Sequence, residues 1–214
     1  MSVSTVHGRV LNRPRLPENG QFLLARSQAV ATASATGLTV VFGNFSDQCG
    51  QFRIMLKGLM AATLLSATAT NQWQLQLSTD GGVTFQAANY FNTSDAWYTS
   101  STIGHIVNTT VVAGMPFNGA ATQQWLSATG AGHGVCGIVE MFNATATGRP
   151  SLRHYMHGDG ATIVQISCNG FCIVNGNGPF NALQFTFGGA TDTKISTGII
   201  EVWGQLAVNG PGLQ

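Results

Sequence analysis

From position 72 the chain reads Gln-Trp-Gln-Leu-Gln-Leu-Ser-Thr-Asp-Gly-Gly-Val-Thr-Phe, and this stretch commits it to β structure. Trp73, Leu75 and Leu77 alternate with Gln72, Gln74, Gln76 and Ser78. Successive side chains of an extended strand leave opposite faces, so the apolar set lines one face and the polar set the other. Ser78 to Phe85 then reads as a hairpin turn, with Val83, Thr84 and Phe85 opening a second strand that runs on towards Tyr90. Asp80, close to Ser78, is placed to accept backbone N–H groups of the turn. Gly81 and Gly82 supply the positive φ that a residue with a Cβ resists.

Runs of the same kind recur at 38–45, 52–59, 103–112, 124–128, 135–144, 152–157, 162–167, 182–187 and 198–207, separated by Gly, Asn and Ser. About ten short strands with turn signals between them predict an all-β, jelly-roll-like β-sandwich. Residues 59–69, rich in Ala and Leu, form the one competing helical stretch, and they lack a capping signal. No internal repeat of the length a propeller needs is visible. In 135–144 both the odd and the even positions are largely apolar, which predicts burial on both faces. Burial of Phe185, Ile199 and Trp203, in the core or in a subunit contact, is expected to drive folding and assembly, each apolar Å² worth roughly 25 cal/mol.

Composition narrows the function classes. Charged residues are 8% of the 214, against about 25% in an ordinary soluble domain. A polar but nearly uncharged surface lacks the repulsion that keeps small proteins apart, so much of it is predicted to be covered by identical subunits or a larger assembly. The net charge of +1 excludes a general nucleic-acid footprint. What charge exists is uneven. Arg9, Arg13, Arg15 and Arg26 face only Glu18 in the first 26 residues, +3, while five cations and seven acids follow, −2. With Pro14 and Pro17 also present, residues 1–30 read as an extended basic attachment arm, and residues 31–214 as one sandwich domain. No run of 18 apolar residues and no hydrophobic stretch behind the N-terminal arginines is seen, so neither a membrane span nor a signal peptide is predicted, and synthesis in the cytosol is the expectation. Cys49, Cys136, Cys168 and Cys172 have no framework spacing and read as reduced thiols.

Chemistry-bearing residues are sparse. Ser78 to Phe85 matches the Asp-box pattern Ser-x-Asp-x-Gly-x-Thr-aromatic found in sialidases and other carbohydrate-active β proteins. There, too, it is a structural turn away from the catalytic residues, and that is the role assigned here to Ser78, Asp80, Gly81 and Gly82. Glycoside hydrolysis needs two carboxylates roughly 5 to 10 Å apart, and no pair among the three glutamates and five aspartates is placed by spacing. Glu140 and Glu201 sit in strands where each can pair with an arginine. His154 and His157, near Asp159, are three apart, which sends them to opposite faces of a strand, so they read as polar strand positions. Cys168 and Cys172 enclose a turn-like Asn-Gly-Phe without the second pair of a zinc site. Neither a phosphate loop nor a Ser/His/Asp constellation is found. The expectation is therefore no catalytic residue, no metal and no cofactor. Tyr90, Phe91, Trp97 and Tyr98 fall in a stretch of Asn, Thr and Ser read as a loop beyond the hairpin. Tyr90, Trp97 and Tyr98 are candidate glycan contacts, since aromatic faces beside amides suit sugar rings.

Four segments in this order resemble a group of tailed-bacteriophage structural proteins. They are Phe52-Arg53-Ile54-Met55-Leu56-Lys57-Gly58-Leu59, the 73–85 stretch with Tyr90 after it, Gly134-Val135-Cys136-Gly137-Ile138-Val139-Glu140, and Ala182-Leu183-Gln184-Phe185 leading to 196–204. The likeness covers roughly residues 38 to 206. It implies a jelly-roll-like virion component of the fibre, spike or head-decoration type, commonly trimeric. The function expected from it is a non-enzymatic structural protein on the virion exterior, a homotrimer that contributes to host attachment. Arg9, Arg13 and Arg15 would anchor it to capsid, collar or tail. A carbohydrate-binding module that recognises host surface glycan is the alternative, with a glycan depolymerase behind it.

Overall fold

The alternating runs become twelve strands in the computed structural model, which describes residues 21–28, 37–43, 49–61, 72–86, 88, 90–98, 103–112, 114–116, 134–143, 149–159, 165–176, 178–188 and 195–206. They are β1 (Gln21–Gln28), β2 (Gly37–Val41), β3 (Cys49–Ala61), β4 (Gln72–Ser78), β5 (Tyr90–Tyr98), β6 (Ile103–Val112), β7 (Met115–Pro116), β8 (Val135–Phe142), β9 (Ser151–Asp159), β10 (Gln165–Val174), β11 (Ala182–Gly188) and β12 (Ile195–Leu206). No helix occurs among the described residues. The strands form two antiparallel sheets, eight strands in the order β1-β12-β3-β8-β9-β10-β5-β6 and four in the order β2-β11-β4-β7.

This order is a jelly roll with an extension. With β5, β6, β9 and β10 set aside, the remaining eight strands make β1-β12-β3-β8 and β2-β11-β4-β7, the two four-stranded halves of that fold. The pairs β5–β6 and β9–β10 are antiparallel neighbours that prolong the large sheet beyond β8, in the order β9-β10-β5-β6. The core lies between the sheets. Leu38, Val40, Leu75, Leu77, Leu183 and Phe185 of the small sheet are buried, as are Phe52, Ile54, Leu56, Val139, Met141, Ile200 and Val202 of the large one. The Phe42 and Phe52 ring centroids lie 5.3 Å apart.

Several expectations change on contact with this topology. Residues 21–28 of the predicted arm form edge strand β1 against β12, so the sandwich begins well before position 31. A bulge between Leu23 and Ala25 adjusts the register there. Residues 83–90 do not return along β4. The chain instead leaves the small sheet at Ser78 and re-enters the large one at Tyr90, so the turn is a crossing rather than a hairpin. Residues 90–98, read as a loop, are β5, because Tyr90, Asn92 and Ser94 are buried while Phe91, Thr93 and Trp97 are exposed, the period of a strand. Cys168 and Cys172 share one face of β10 rather than a turn. Trp203 and Ile199 leave the outer face of β12 half-buried, and only Phe185 of the three joins the core. The outer face of β8 is half-covered, with Ile138 and Phe142 intermediate. Predicted strand 124–128 and most of the competing helical stretch lie outside the described residues, although β3 continues to Ala61.

One row of glycines shapes the large sheet. Gly58, Gly134 and Gly198 have φ of 59°, 74° and 122°, where β3, β8 and β12 lose register between Leu56 and Leu59 and between Thr197 and Ile199. A Cβ on Gly134 would stand 2.7 Å from the Gly58 carbonyl carbon, and one on Gly198 would stand 2.5 Å from Leu59 Cδ2. Aligned bulges across three strands sharpen twist locally.

Candidate ligand-binding face

The Asp-box segment is a closed structural turn. The Asp80 carboxylate accepts Val83 N–H at 3.1 Å, Thr84 N–H at 2.9 Å and the Ser78 hydroxyl at 2.7 Å, with the Thr84 hydroxyl also bound. Those bonds, the Thr84 hydroxyl first, hold its carboxyl well below the usual range. Gly81 and Gly82 adopt φ of 76° and 87° as predicted. Ser78 Oγ accepts Gly82 N–H at 3.0 Å. Asn181, which the sequence did not single out, clamps the turn from just before β11: its Oδ1 accepts Gly81 N–H at 2.8 Å and its Nδ2 donates to Thr79 O at 3.0 Å.

The other described carboxylates of the two strand glutamates are also engaged. On the outer face of the large sheet, Glu140 lies between Arg53 (3.0 Å) and Arg153 (2.7 Å). Burial raises its carboxyl, and the two guanidiniums more than offset that, leaving it below its ordinary value. Glu201 is paired with Lys57 at 2.8 Å and Arg26 at 3.7 Å, and accepts Trp203 Nε1–H at 3.3 Å. The Lys57 bond chiefly keeps it low. Arg26, assigned to the arm, is thus a strand residue in an ion-pair cluster.

Beyond these clusters the outer face turns aromatic. Phe91, Trp97, Tyr155, Phe171 and Ile173 are all large apolar side chains exposed by 37% or more, and all leave the outer face of β9, β10 and β5. Registers Phe171↔Arg153, Phe171↔Thr93, Asn169↔Tyr155 and Asn169↔Asp95 arrange the centre of this face in two rows. One row is Arg153, Phe171 and Thr93, the other Tyr155, Asn169 and Asp95. Between them a shallow open groove of about 290 Å³ runs over the backbone of His154, Gly170 and Ser94. The Arg153 guanidinium sits 5.4 Å from the Tyr155 ring centroid, a cation–π approach that fixes the ring while Glu140 fixes the guanidinium.

The floor of the groove is built from beneath. His154 is fully buried, with Nε2 3.5 Å from Cys168 Sγ, and burial pushes its imidazole down to about 3. Burial likewise pushes the Cys168 and Cys172 thiols up to about 12. All four cysteines are free. His157 is exposed on the opposite face, as the spacing predicted. No group of three or more His, Cys, Asp or Glu residues able to hold a metal occurs among the described residues.

Of the candidate glycan contacts, Trp97 is exposed, with 41% of its surface open. Tyr90 is not available to any ligand. It is fully buried beneath the sheet, with its hydroxyl accepting the Leu77 N–H at 2.8 Å, so the aromatic belongs to the core. Tyr98 ends β5, and its side chain lies outside the described residues, as do Arg9, Arg13 and Arg15. Sequence reasoning missed Tyr155, Asn169 and Phe171. Their signal was present in the alternation of β9 and β10, but their convergence depends on strand order. Among the described residues no helix is long and apolar enough to cross a membrane. No family model, curated protein or solved structure matches the chain.

Proposed function

We propose that the chain is a non-enzymatic structural protein on the exterior of a tailed-bacteriophage particle, a homotrimer built on the jelly roll and fixed to capsid, collar or tail by Arg9, Arg13 and Arg15. The observation that carries this reading is the outer face of the extended sheet. Five large apolar side chains stand exposed on three adjacent strands, with Phe91, Ile173 and Phe171 as neighbours, on a chain whose charge content is 8%, and exposed apolar surface of this kind marks a face built for contact. The jelly roll itself is a fold of capsid and lectin domains, and it serves here as context, since function lives in the site. The non-catalytic reading draws on the engaged carboxylates: Asp80 in its turn, Glu140 and Glu201 in their ion pairs.

Light scattering on the native protein tests the assembly. A mass of about 67 kDa, three times the 22.4 kDa chain, supports a trimer, and a stable 22.4 kDa species at micromolar concentration counts against it. Replacement of the three arm arginines by alanine is expected to abolish incorporation into particles. Unchanged incorporation would refute the anchoring role. A second reading, a carbohydrate-binding module for host surface glycans, is favoured by the groove beside the exposed aromatic rings.

A further inference from the structure

We infer that the groove across β9, β10 and β5 is a binding site for a neutral oligosaccharide, contacted by Tyr155, Phe171, Asn169, Asp95 and Thr93. This rests on and deepens the second reading above, the carbohydrate-binding module, by naming the site and the class of sugar, and its chemistry does not depend on the particle.

The shape limits the ligand first. The two bordering rows are two residues apart along each strand, about 7 Å. An α-helix is about 10 to 12 Å across with its side chains, so a helical partner rides over the rows without entering. The groove volume of about 290 Å³ sits at the bottom of the range for small-ligand sites. A sugar ring, thin and rigid, fits between the rows. The groove crosses three strands spaced about 4.8 Å apart, so it is about 10 Å long and takes a short oligosaccharide, with Phe91 and Trp97 exposed on β5 beyond its two rows.

The chemistry of the walls agrees. Tyr155 is 50% exposed and Phe171 41%, and their rings can cover the apolar C–H faces of a sugar. Asn169 and Asp95, in register beside Tyr155, add amide and carboxylate groups that hydrogen-bond hydroxyls, and Thr93 borders the other row. Charge selects against acidic sugars. Arg153 is the one cation of the lining; its guanidinium is already bonded to Glu140 at 2.7 Å, and Asp95 adds a negative group to the same groove. The Arg153 guanidinium covers one face of the Tyr155 ring and holds it before any ligand arrives, which reduces the ordering cost of binding and leaves the exposed half of the ring to the sugar.

The test uses the full chain against an immobilised panel of neutral oligosaccharides, including gluco-, galacto- and N-acetylglucosamine-based tetramers, with sialylated and uronic-acid glycans alongside. Hits are titrated by calorimetry. Saturable binding to at least one neutral glycan is expected. Tyr155→Ala, Phe171→Ala and Asn169→Ala should each weaken it at least about tenfold, equivalent to 1.4 kcal/mol, while Val83→Ala, an exposed residue in the Asp80 turn, leaves it unchanged. Circular dichroism and thermal melting check that each variant folds; Asn169→Ala, which removes no apolar packing, keeps the test valid if an aromatic variant does not. No saturable binding across the panel overturns the inference, as does binding confined to acidic glycans or indifferent to all three variants. Self-association lost with Phe171→Ala in the absence of glycan binding overturns it in favour of a subunit contact. A monomeric chain that binds neutral glycan through these residues would instead refute the trimer and leave this site standing.

Discussion

The phenolic oxygen of Tyr90 accepts the backbone N–H of Leu77 at 2.8 Å, joining the extended sheet to the edge of the small one. The two-residue strand β7 pairs with β4 only at Gln74 and Leu75. Past its end, the edge-facing groups of Leu77 meet no strand among the described residues. Tyr90 Oη takes the N–H and Gln86 N–H donates to the carbonyl at 2.9 Å. Burial, the largest influence, raises the phenol well above its ordinary value, so it stays neutral. Tyr90→Phe keeps the ring and removes the acceptor, leaving a buried N–H unsatisfied. Destabilisation of about 1 to 3 kcal/mol is predicted, read as a shift in the urea midpoint at constant m-value, with glycan binding unchanged.

Gly170 is held by space rather than by backbone angle. A Cβ there would stand 2.5 Å from His154 Cε1, 2.5 Å from the Thr93 carbonyl oxygen and 2.6 Å from Ser94 Cβ. All three belong to the strands paired on either side of β10, and the Thr93 carbonyl and Ser94 Cβ cannot retreat without moving β5. Gly170→Ala is predicted to cost about 1 to 3 kcal/mol in stability. It should also displace β5 or β9 under the groove and so weaken sugar binding, an effect that amide hydrogen exchange in β10 would localise.

These two positions show what was legible in the sequence and what was not. Strands such as β4 and β11 were readable because their alternation is local, β8 because its run is apolar at nearly every position, and the Asp80 turn because its hydrogen bonds span four residues. Strand β5 was missed because its outward positions carry Asn-Thr-Ser-Asp neighbours that look like loop composition, although Tyr90, Asn92 and Ser94 keep the period. The side taken by Trp203 and Ile199 stayed open because β12 is apolar on both faces, and only pairing with β3 decides which face is inside. The groove was out of reach for a different reason. Tyr155, Asn169 and Asp95 lie on three strands whose adjacency is set by the insertion of two strand pairs into the jelly roll, and no spacing along the chain encodes that order.

His154 makes stability depend on pH in a defined direction. Its folded-state value, lowered by burial to about 3, lies below the unfolded value of about 6.5. The unfolded chain therefore binds the proton first, so this contribution is complete above pH 6.5 and is lost progressively as pH falls towards 3, by at most about 1.4 kcal/mol per pH unit. Cys168, the thiol at 3.5 Å, stays protonated throughout this range. Chemical denaturation at pH 7, 6, 5 and 4 should show the decline, and His154→Phe should flatten it between pH 6.5 and 5, where the carboxylates contribute little. An unchanged slope in the variant would assign the acid sensitivity to other groups.

Glu140 joins two cations that would otherwise repel. Arg53 and Arg153 approach it from β3 and β9 at 3.0 and 2.7 Å, in register Arg53↔Glu140 and Glu140↔Arg153 across the sheet. Its carboxyl is held below the ordinary value, so its contribution is present above the unfolded value of about 4.3 and is lost as pH falls below it. Glu140→Gln removes the charge and leaves two guanidiniums facing one neutral amide. Because both arginines are partly exposed, the predicted cost is about 1 kcal/mol at low ionic strength, shrinking in 1 M salt where the Debye length falls to about 3 Å. Arg153 would also lose the partner that holds it against Tyr155. The same variant should therefore weaken neutral-glycan binding by a few-fold through faster dissociation, and surface plasmon resonance would separate that from any change in association rate.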